Sequence, residues 1–250
     1  TLSLNSEKGD VTFKTISLEN GHNIYHGGGF NKALDIEHLK ATASAGENVI
    51  IKAGNDINLE ASKLKANNQI NLNAANDVNI TAVNDEHYKD VQTTSKGFMS
   101  KKTQRDMSYK EEVVSSNLTA KNILINSDKD VTLEATKLKA QDNIIVFAKD
   151  GDVNILAKEY RQGELHSTKK SSIAGLKKSV NIQASDALKL NSALLETQAA
   201  NVVITSGKDI NILASEINSA ADIQLKALND VLITSQEEYL KTKEVHEKSS

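Results

Sequence analysis

Aspartate residues recur just before short apolar segments, and their carboxylates are the groups best suited to chemistry. They form three matched pairs, which are Asp56 with Asp77, Asp130 with Asp152, and Asp209 with Asp230. Carboxylates stacked about 5 Å apart would suit a hard cation such as Ca²⁺. Alternatively, each aspartate caps a turn by accepting a backbone N–H two residues further on. Capping is favoured, because the glycine-rich calcium repeat is absent and Lys129 and Lys208 adjoin two of the aspartates.

The same carboxylates raise the question of a polysaccharide-cleaving site. A glycoside hydrolase needs two carboxylates about 5–10 Å apart in a cleft, and the acid has a raised pKa. Acidic residues here recur at turn positions throughout the chain, whereas an active site would interrupt the repeat at one place. The pattern therefore predicts no catalytic residues and no enzyme activity.

The best candidates for binding are lysines that cluster in two interruptions of the repeat, within 95–102 and 168–178. A run of charge is usually only a solvated surface, but Phe98 and Met99 make the first run amphipathic. The hypothesis is contact with a glycan, an acidic lipid surface or a neighbouring copy of the repeat. The candidate contact residues are Lys96, Phe98, Met99, Lys101, Lys102, Lys169, Lys170, Lys177 and Lys178.

Histidine and cysteine offer little support for other chemistry. The six histidines lie in or near the interruptions without a His-Glu-x-x-His pattern, and the chain has no cysteine. No metal site, cofactor, disulfide or thiol nucleophile is therefore predicted. Tyr160 and Tyr239 each follow a glutamate directly, and Tyr88 follows a glutamate two positions later. The three tyrosines are expected to anchor the bases of the interruptions.

The aspartates, lysines and tyrosines discussed so far must be positioned by the repeat itself. In this repeat, pairs of β-branched residues or leucines recur about every 21 residues. The first pairs are Val49/Ile51, Ile57/Leu59, Ile70/Leu72 and Val78/Ile80, and later ones include Val180/Ile182 and Leu188/Leu190. One residue separates the members of each pair, which is typical of a half-buried strand. Two inward residues per strand cannot form a core alone, so successive coils must stack. The sequence predicts an all-β parallel β-helix, a solenoid of about eight coils of about 21 residues.

The repeat stops in four places, which are predicted to be excursions protruding from a single β-helix segment spanning 1–250. They lie near 25–47, 84–117, 158–179 and 236–250. Alternating residues in 88–94 and 106–113 favour an antiparallel hairpin for the second excursion, with a short helix or loop as alternatives. Outward asparagines between the excursions are expected to form amide ladders from coil to coil.

Composition excludes several classes of function. The net charge is −3 with 25% charged residues, so no nucleic-acid partner is expected. The longest apolar run is too short to span a membrane. The absence of cysteine fits export in an unfolded state, and the chain is expected to be a fragment of a larger protein.

The coil sequences of 55–64, 129–138 and 208–215, together with the excursion Lys96-Gly97-Phe98 followed by Lys101-Lys102, resemble the hemagglutinin-repeat region of the filamentous-hemagglutinin family. That family comprises large exoproteins exported by two-partner secretion, including adhesins and contact-dependent growth-inhibition toxins. The resemblance covers nearly the whole chain. It implies a right-handed parallel β-helix that serves as a structural stalk and presents a binding or toxin region elsewhere in the polypeptide.

The resemblance also implies a secreted or cell-surface location in a Gram-negative bacterium. The implied partners are a target-cell surface and, through regions outside this chain, an outer-membrane two-partner-secretion transporter. One alternative is an adhesin module that binds glycan or membrane directly through the basic tips. A polysaccharide-cleaving β-helix enzyme is the less favoured alternative.

Overall fold

The protein is built entirely of β-strands in the part of the chain that its computed structural model describes, residues 1–172 and 176–249. The strands in chain order are β1 Leu2–Ser6, β2 Val11–Phe13, β3 Ile16–His26, β4 Gly29–Leu39, β5 Thr42–Ala45, β6 Asn48–Ala53, β7 Ile57–Glu60, β8 Lys63–Ala66, β9 Gln69–Ala74, β10 Val78–Thr81, β11 Val83–Gly97, β12 Ser100–Val114, β13 Asn117–Ala120, β14 Asn122–Ser127, β15 Val131–Glu134, β16 Lys137–Ala140, β17 Ile144–Ala148, β18 Val153–Leu156, β19 Lys158–Ser172, β20 Lys177–Asn191, β21 Leu194–Thr197, β22 Val202–Ser206, β23 Ile210–Leu213, β24 Glu216–Asn218, β25 Ile223–Ala227, β26 Val231–Thr234 and β27 Tyr239–Ser249.

Three parallel sheets form a shaft. Sheet A has the order β1-β6-β9-β14-β17-β22-β25, sheet B has the order β2-β7-β10-β15-β18-β23-β26, and sheet C has the order β24-β21-β16-β13-β8-β5. The chain visits the sheets in turn, so each coil contributes one strand to each sheet it crosses. This arrangement confirms the predicted parallel β-helix.

Like residues stack on like residues in the core of the shaft. In sheet A, Val49 pairs with Ile70, Ile70 with Ile123, and Ile123 with Ile144, and all four side chains are fully buried. The residue between the members of each pair points outward, as the period-2 pattern predicts, whether it is polar, as Asn71 is, or apolar, as Ile145 is. Burial of this kind stabilises by about 2 kcal/mol per side chain, but only when neighbouring coils cover it.

Two expectations about the coils are wrong. About eight coils are expected from the sequence, whereas sheets A and B contain seven strands each among the described residues. The pairs Val180/Ile182 and Leu188/Leu190 lie in β20, which pairs antiparallel with β19 outside the shaft. Their alternation is the same as that of a shaft strand, because both kinds of strand place every second side chain on one face.

The corner between sheets B and C has two alternating forms. In three coils it is a tight turn at an alanine with a positive φ, which is 40° at Ala61, 45° at Ala135 and 44° at Ala214. In the coils between them, the chain leaves the shaft at this corner as a long hairpin instead. A left-handed alanine costs about 1–2 kcal/mol, and full burial at Ala61 and Ala135 leaves no room for a larger side chain.

The hairpins join into one antiparallel sheet, which we call the hairpin sheet. Its order is β27-β20-β19-β12-β11-β4-β3. The excursion at 84–117 is the antiparallel hairpin β11–β12, as predicted, with a turn at Phe98 and Met99. The first hairpin begins earlier than expected, at Ile16, and its Gly-rich turn is the tip and not the base. The third hairpin extends to Asn191 and therefore includes the pairs Val180/Ile182 and Leu188/Leu190 that the repeat had assigned to the shaft.

A continuous aspartate ladder runs along the turn between sheets A and B. Each carboxylate accepts the backbone N–H of the aspartate in the next coil, at 2.8–3.1 Å, through Asp10, Asp56, Asp77, Asp130, Asp152, Asp209 and Asp230. The predicted capping role is therefore correct in kind, but the N–H it satisfies belongs to the next coil and not to a residue two positions on. The partners lie 21 or 22 residues apart where no hairpin intervenes.

The outward asparagines of sheet B form pairs and not long ladders. Asn79 donates to Asn58 at 3.1 Å, and Asn211 donates to Asn154 at 3.0 Å. Thr132 occupies the intervening position in the register between the two pairs. In sheet B the amide contribution is therefore local to neighbouring coils, whereas the aspartate contribution is continuous.

The aspartate ladder gives a stability prediction. Asp130→Ala should lower the free energy of unfolding by about 1–2 kcal/mol, because the N–H of Asp152 loses its acceptor. Asp130→Asn should lose less, since an amide oxygen still accepts that hydrogen bond. Urea unfolding followed by circular dichroism measures both. Equal stability of the alanine variant and the native chain would contradict a stabilising ladder.

Candidate functional site

Near the shaft, carboxylates of one hairpin accept backbone hydrogen bonds from the neighbouring hairpin. Asp85 accepts the N–H of His38 at 2.8 Å, and Glu238 accepts the N–H of Leu190 at 2.7 Å. Each of these hydrogen bonds lies where the backbone ladder between two hairpins ends. Glu238, the acidic residue before Tyr239, thus satisfies a backbone group where two strands diverge, and near Tyr88 the same role belongs to Asp85 and not to Glu86.

A charged network lies in the middle of the hairpin sheet. Arg105 donates twice to Asp90, at 2.9 and 2.8 Å, and Tyr88 donates to the same carboxylate at 3.1 Å. The side chain of Asp90 is only 3% exposed. The hydrogen bonds from Arg105 lower the pKa of Asp90 from its ordinary value, while burial raises the pKa of Tyr88. The bidentate pair fixes β11 against β12 near the centre of the sheet.

The tyrosines predicted to anchor the hairpins have different roles. Tyr88 joins the Asp90 network, and Tyr239 donates to Asp186 on the adjacent strand at 3.3 Å. The ring of Tyr239 also lies 4.5 Å below the ammonium group of Lys241. Tyr239 therefore links β27 to β20 directly, whereas Tyr88 acts within β11, on the carboxylate that Arg105 of β12 binds. Tyr160 lies half-buried in β19, opposite Lys189 of β20.

Histidine–aspartate pairs bridge the seams between adjacent hairpins. His87 lies 3.0 Å from Asp35, and His166 lies 2.8 Å from Asp106. The hydrogen bond to Asp106 raises the pKa of His166. These two histidines therefore link adjacent hairpins through carboxylates.

The lysine-rich tips of the second and third hairpins converge with the end of β27 on one open groove of about 780 Å³. Its charged lining residues are Lys96, Lys101, Lys102, Lys170, Lys177, Lys178 and Lys248. None of them forms an ion pair with any residue that the structure describes. Serines and Gly97 complete the lining, so the groove offers hydroxyl donors beside a concentrated positive charge.

Six of the candidate contact residues therefore lie together, and three do not line this groove. Phe98 and Met99 form the turn beyond it and are 95% and 51% exposed. Lys169 precedes the lining residue Lys170 in β19. Ile173, Ala174 and Gly175 of the third tip lie outside the described residues. Lys248 was missed, because its neighbourhood depends on pairing of β27 with the distant strand β20.

Chemistry other than binding finds little support in the geometry. Within residues 1–172 and 176–249, no cluster of three or more His, Cys, Asp or Glu side chains is placed to hold a metal ion. The aspartate oxygens that once suggested a calcium ladder accept backbone N–H groups instead. In the same ranges, no helix is long and apolar enough to cross a membrane.

Comparison with known proteins gives one result. The profile of a family described as Hemagglutinin repeat matches residues 35–101, 97–194 and 189–250, so the matches run without a gap from 35 to 250. Each match covers both coils of the shaft and parts of the hairpin sheet. No curated protein and no solved structure matches the chain.

The Asp90 network gives a pH-dependent prediction. Asp90→Asn should lower the free energy of unfolding by about 1–2 kcal/mol at neutral pH, because Arg105 loses a charged acceptor. The lowered pKa of Asp90 means that its stabilising effect is complete above the unfolded-state pKa and is lost as the pH falls through the folded-state pKa. The difference between variant and native chain should therefore shrink in acid.

Urea unfolding of both proteins from neutral pH into the acid range measures that difference. Asp142→Asn is the matched control, since Asp142 forms only a 3.6 Å surface pair with Lys121, and such pairs contribute about 0–1 kcal/mol. A pH-independent difference at Asp90 would show that lost packing and not lost charge explains the effect.

Proposed function

Because the chain belongs to the hemagglutinin-repeat family and is a region of a filamentous-hemagglutinin-like exoprotein, we propose that it is a structural stalk segment of that exoprotein. Its role is to hold a binding or toxin region, located elsewhere in the polypeptide, away from the producing cell. The parent protein is proposed to be a secreted or cell-surface product of a Gram-negative bacterium. Export by an outer-membrane two-partner-secretion transporter would act through regions outside these residues.

The proposal depends on one observation, which is that each coil of the shaft repeats the stacking contacts of the coil below it. The aspartate ladder continues without a gap through the turns that precede the seven strands of sheet B. The stacks of apolar residues in sheets A and B likewise continue from coil to coil. Each coil adds about 4.8 Å of length. A rod built in this way gains reach with every coil and needs no unique residue to do so.

The arrangement of the carboxylates supports a role without catalysis. The ladder aspartates are equivalent from coil to coil, and their oxygens are engaged by backbone N–H groups. A hydrolase needs one carboxyl group whose environment differs from that of its partner. The proposal therefore assigns no substrate and no cofactor to this segment.

A second candidate function rests on the lysine groove. Seven lysines without ion-pair partners among the described residues would attract an anionic glycan or lipid surface on a target cell. The exposed Phe98 at the adjoining tip adds an apolar contact. In this alternative the segment is an adhesin module as well as a spacer.

The test is made in the full-length parent protein with two variants. The first deletes residues 78–152, which joins Asp77 to Val153 and removes two coils with one hairpin while keeping the order of sheets, because Val78 and Val153 occupy equivalent positions in sheet B. The second replaces Lys96, Lys101, Lys102, Lys170, Lys177 and Lys178 with serine. Attachment to target cells and surface display are measured for both.

A stalk predicts that both variants are displayed and attach as the native protein does, because removing two coils shortens the shaft by only about 10 Å. Loss of attachment only in the serine variant would favour the adhesin module over the spacer. Loss of attachment in the deletion variant, with normal display and an unchanged serine variant, would place a specific site in 78–152 outside the tips and overturn both proposals.

A further inference from the structure

The hairpin sheet is a single layer. The buried hydrophobic cluster of the described residues contains side chains of the shaft and none from the hairpin sheet. A β-sheet with an apolar face normally buries that face against a second layer. Among the described residues, no strand forms a second layer over this sheet.

The two faces of the hairpin sheet differ in chemistry. Residues opposite each other in antiparallel strands share a face, and alternate residues along a strand do too. One face, which we call the aromatic face, carries Leu34, Tyr88, Met107, Tyr109, Leu165 and Ile182. These side chains are half-buried by their strand neighbours alone. The other face, the polar face, carries Asp35, Lys89, Asp106, Lys110, Glu164 and Gln183.

Charge on the aromatic face of the second hairpin is separated along its length. Lys96 and Lys101 lie opposite each other at the tip, and Glu86 and Glu111 lie opposite each other near the shaft. The third hairpin has Lys169 towards its tip and Glu159 towards its base, with Arg161 also near the base, and β27 has the opposite order, with Lys241 nearer the shaft than Glu247. The apolar residues and the Asp90–Arg105 pair lie between the two ends. The face is thus complementary to a copy of itself turned end for end.

We propose that a second copy of this chain covers the aromatic face, with the two hairpin sheets packed face to face and their hairpins antiparallel. The lysines at the tip of each copy then lie over the glutamates at the base of the other. The two-fold axis that produces this contact runs parallel to the shaft, so the two shafts point in the same direction. The contact is isologous and closes as a dimer.

The area of the face is sufficient for a stable dimer. The sheet has seven strands of 11–15 residues. At about 3.3 Å per residue and about 4.8 Å between strands, it measures roughly 40 by 30 Å. A typical specific interface needs about 800 Å² from each partner, which is less than this face provides.

The one buried carboxylate inside the contact already has partners. Asp90 is bound by Arg105 and Tyr88 within its own copy, so covering it leaves no buried carboxylate without a counter-charge. The spacing of hairpins along the shaft is identical in the two copies. The tips of one copy therefore meet the bases of the other at each hairpin in turn.

The first experiment measures the mass of chain 1–250 in solution by analytical ultracentrifugation over a range of concentrations. The native chain should form a dimer, and Leu165→Lys on the aromatic face should raise its dissociation constant at least 10-fold. Val91→Lys is the matched control, because Val91 lies on the polar face of β11, another inner strand of the sheet, opposite Asp106. Circular dichroism establishes that all three chains are folded.

A native chain that stays monomeric at all concentrations would overturn the proposal, as would a dimer weakened equally by Leu165→Lys and Val91→Lys. These outcomes leave the stalk proposal untouched, since a stalk needs no dimer. If Leu165→Lys prevents folding, Thr103→Lys tests the same face, because Thr103 lies two positions from Arg105 in β12.

The second experiment tests the end-for-end orientation by charge reversal. Chains carrying Lys96→Glu and Lys101→Glu should dimerise more weakly, and so should chains carrying Glu86→Lys. A mixture of the two should form a heterodimer tighter than the homodimer of either variant at low salt, because one tip–base contact keeps its native charges and in the other the reversed tip meets a base that Glu86→Lys has neutralised. A mixture as weak as the separate variants would refute this orientation.

Discussion

The hydrogen-bonded distance between neighbouring β-strands, about 4.8 Å, sets both the rise of one coil and the spacing of the strands in a hairpin. A hairpin is two strands wide, so it occupies the same length of the shaft as two coils. Hairpins that leave every second coil therefore meet edge to edge, and the seven-stranded hairpin sheet follows without further adjustment. The tight corners at Ala61, Ala135 and Ala214 supply the intervening coils that this match requires.

Stacking of like residues joins short-range contacts between neighbouring coils into rows that run along the shaft. Each ladder aspartate accepts one N–H from the next coil, and each apolar pair covers the pair below it. Neither interaction would fold one coil, because the entropy of ordering a coil exceeds what its own burial supplies. The same stacking makes the segment suited to carrying other regions of an exoprotein, since its stability does not depend on any single site.

The fold was largely predictable, whereas the placement of the candidate site was only partly so. The pairs Val49/Ile51 and Ile57/Leu59 indicated strands, and their repetition indicated stacking, because both signals are local in sequence. The hairpin extending to Asn191 was not distinguished from a coil, since Val180/Ile182 alternate as a shaft strand does. The lysines at 96–102 and 168–178 were recognised as candidates from their clustering. Their convergence with Lys248 on one groove required pairing between strands that are distant in the chain.

The sequence by itself determined that the chain is a β-helix with basic excursions, because inward and outward positions alternate with a period that the residues display directly. Only the tertiary structure decided what the excursions form. Their pairing into one sheet depends on which hairpins become neighbours, and it is this pairing that gives the sheet an aromatic face and a polar face. It likewise decided that the aspartates bind the next coil's backbone, since their partners lie 21 or more residues away.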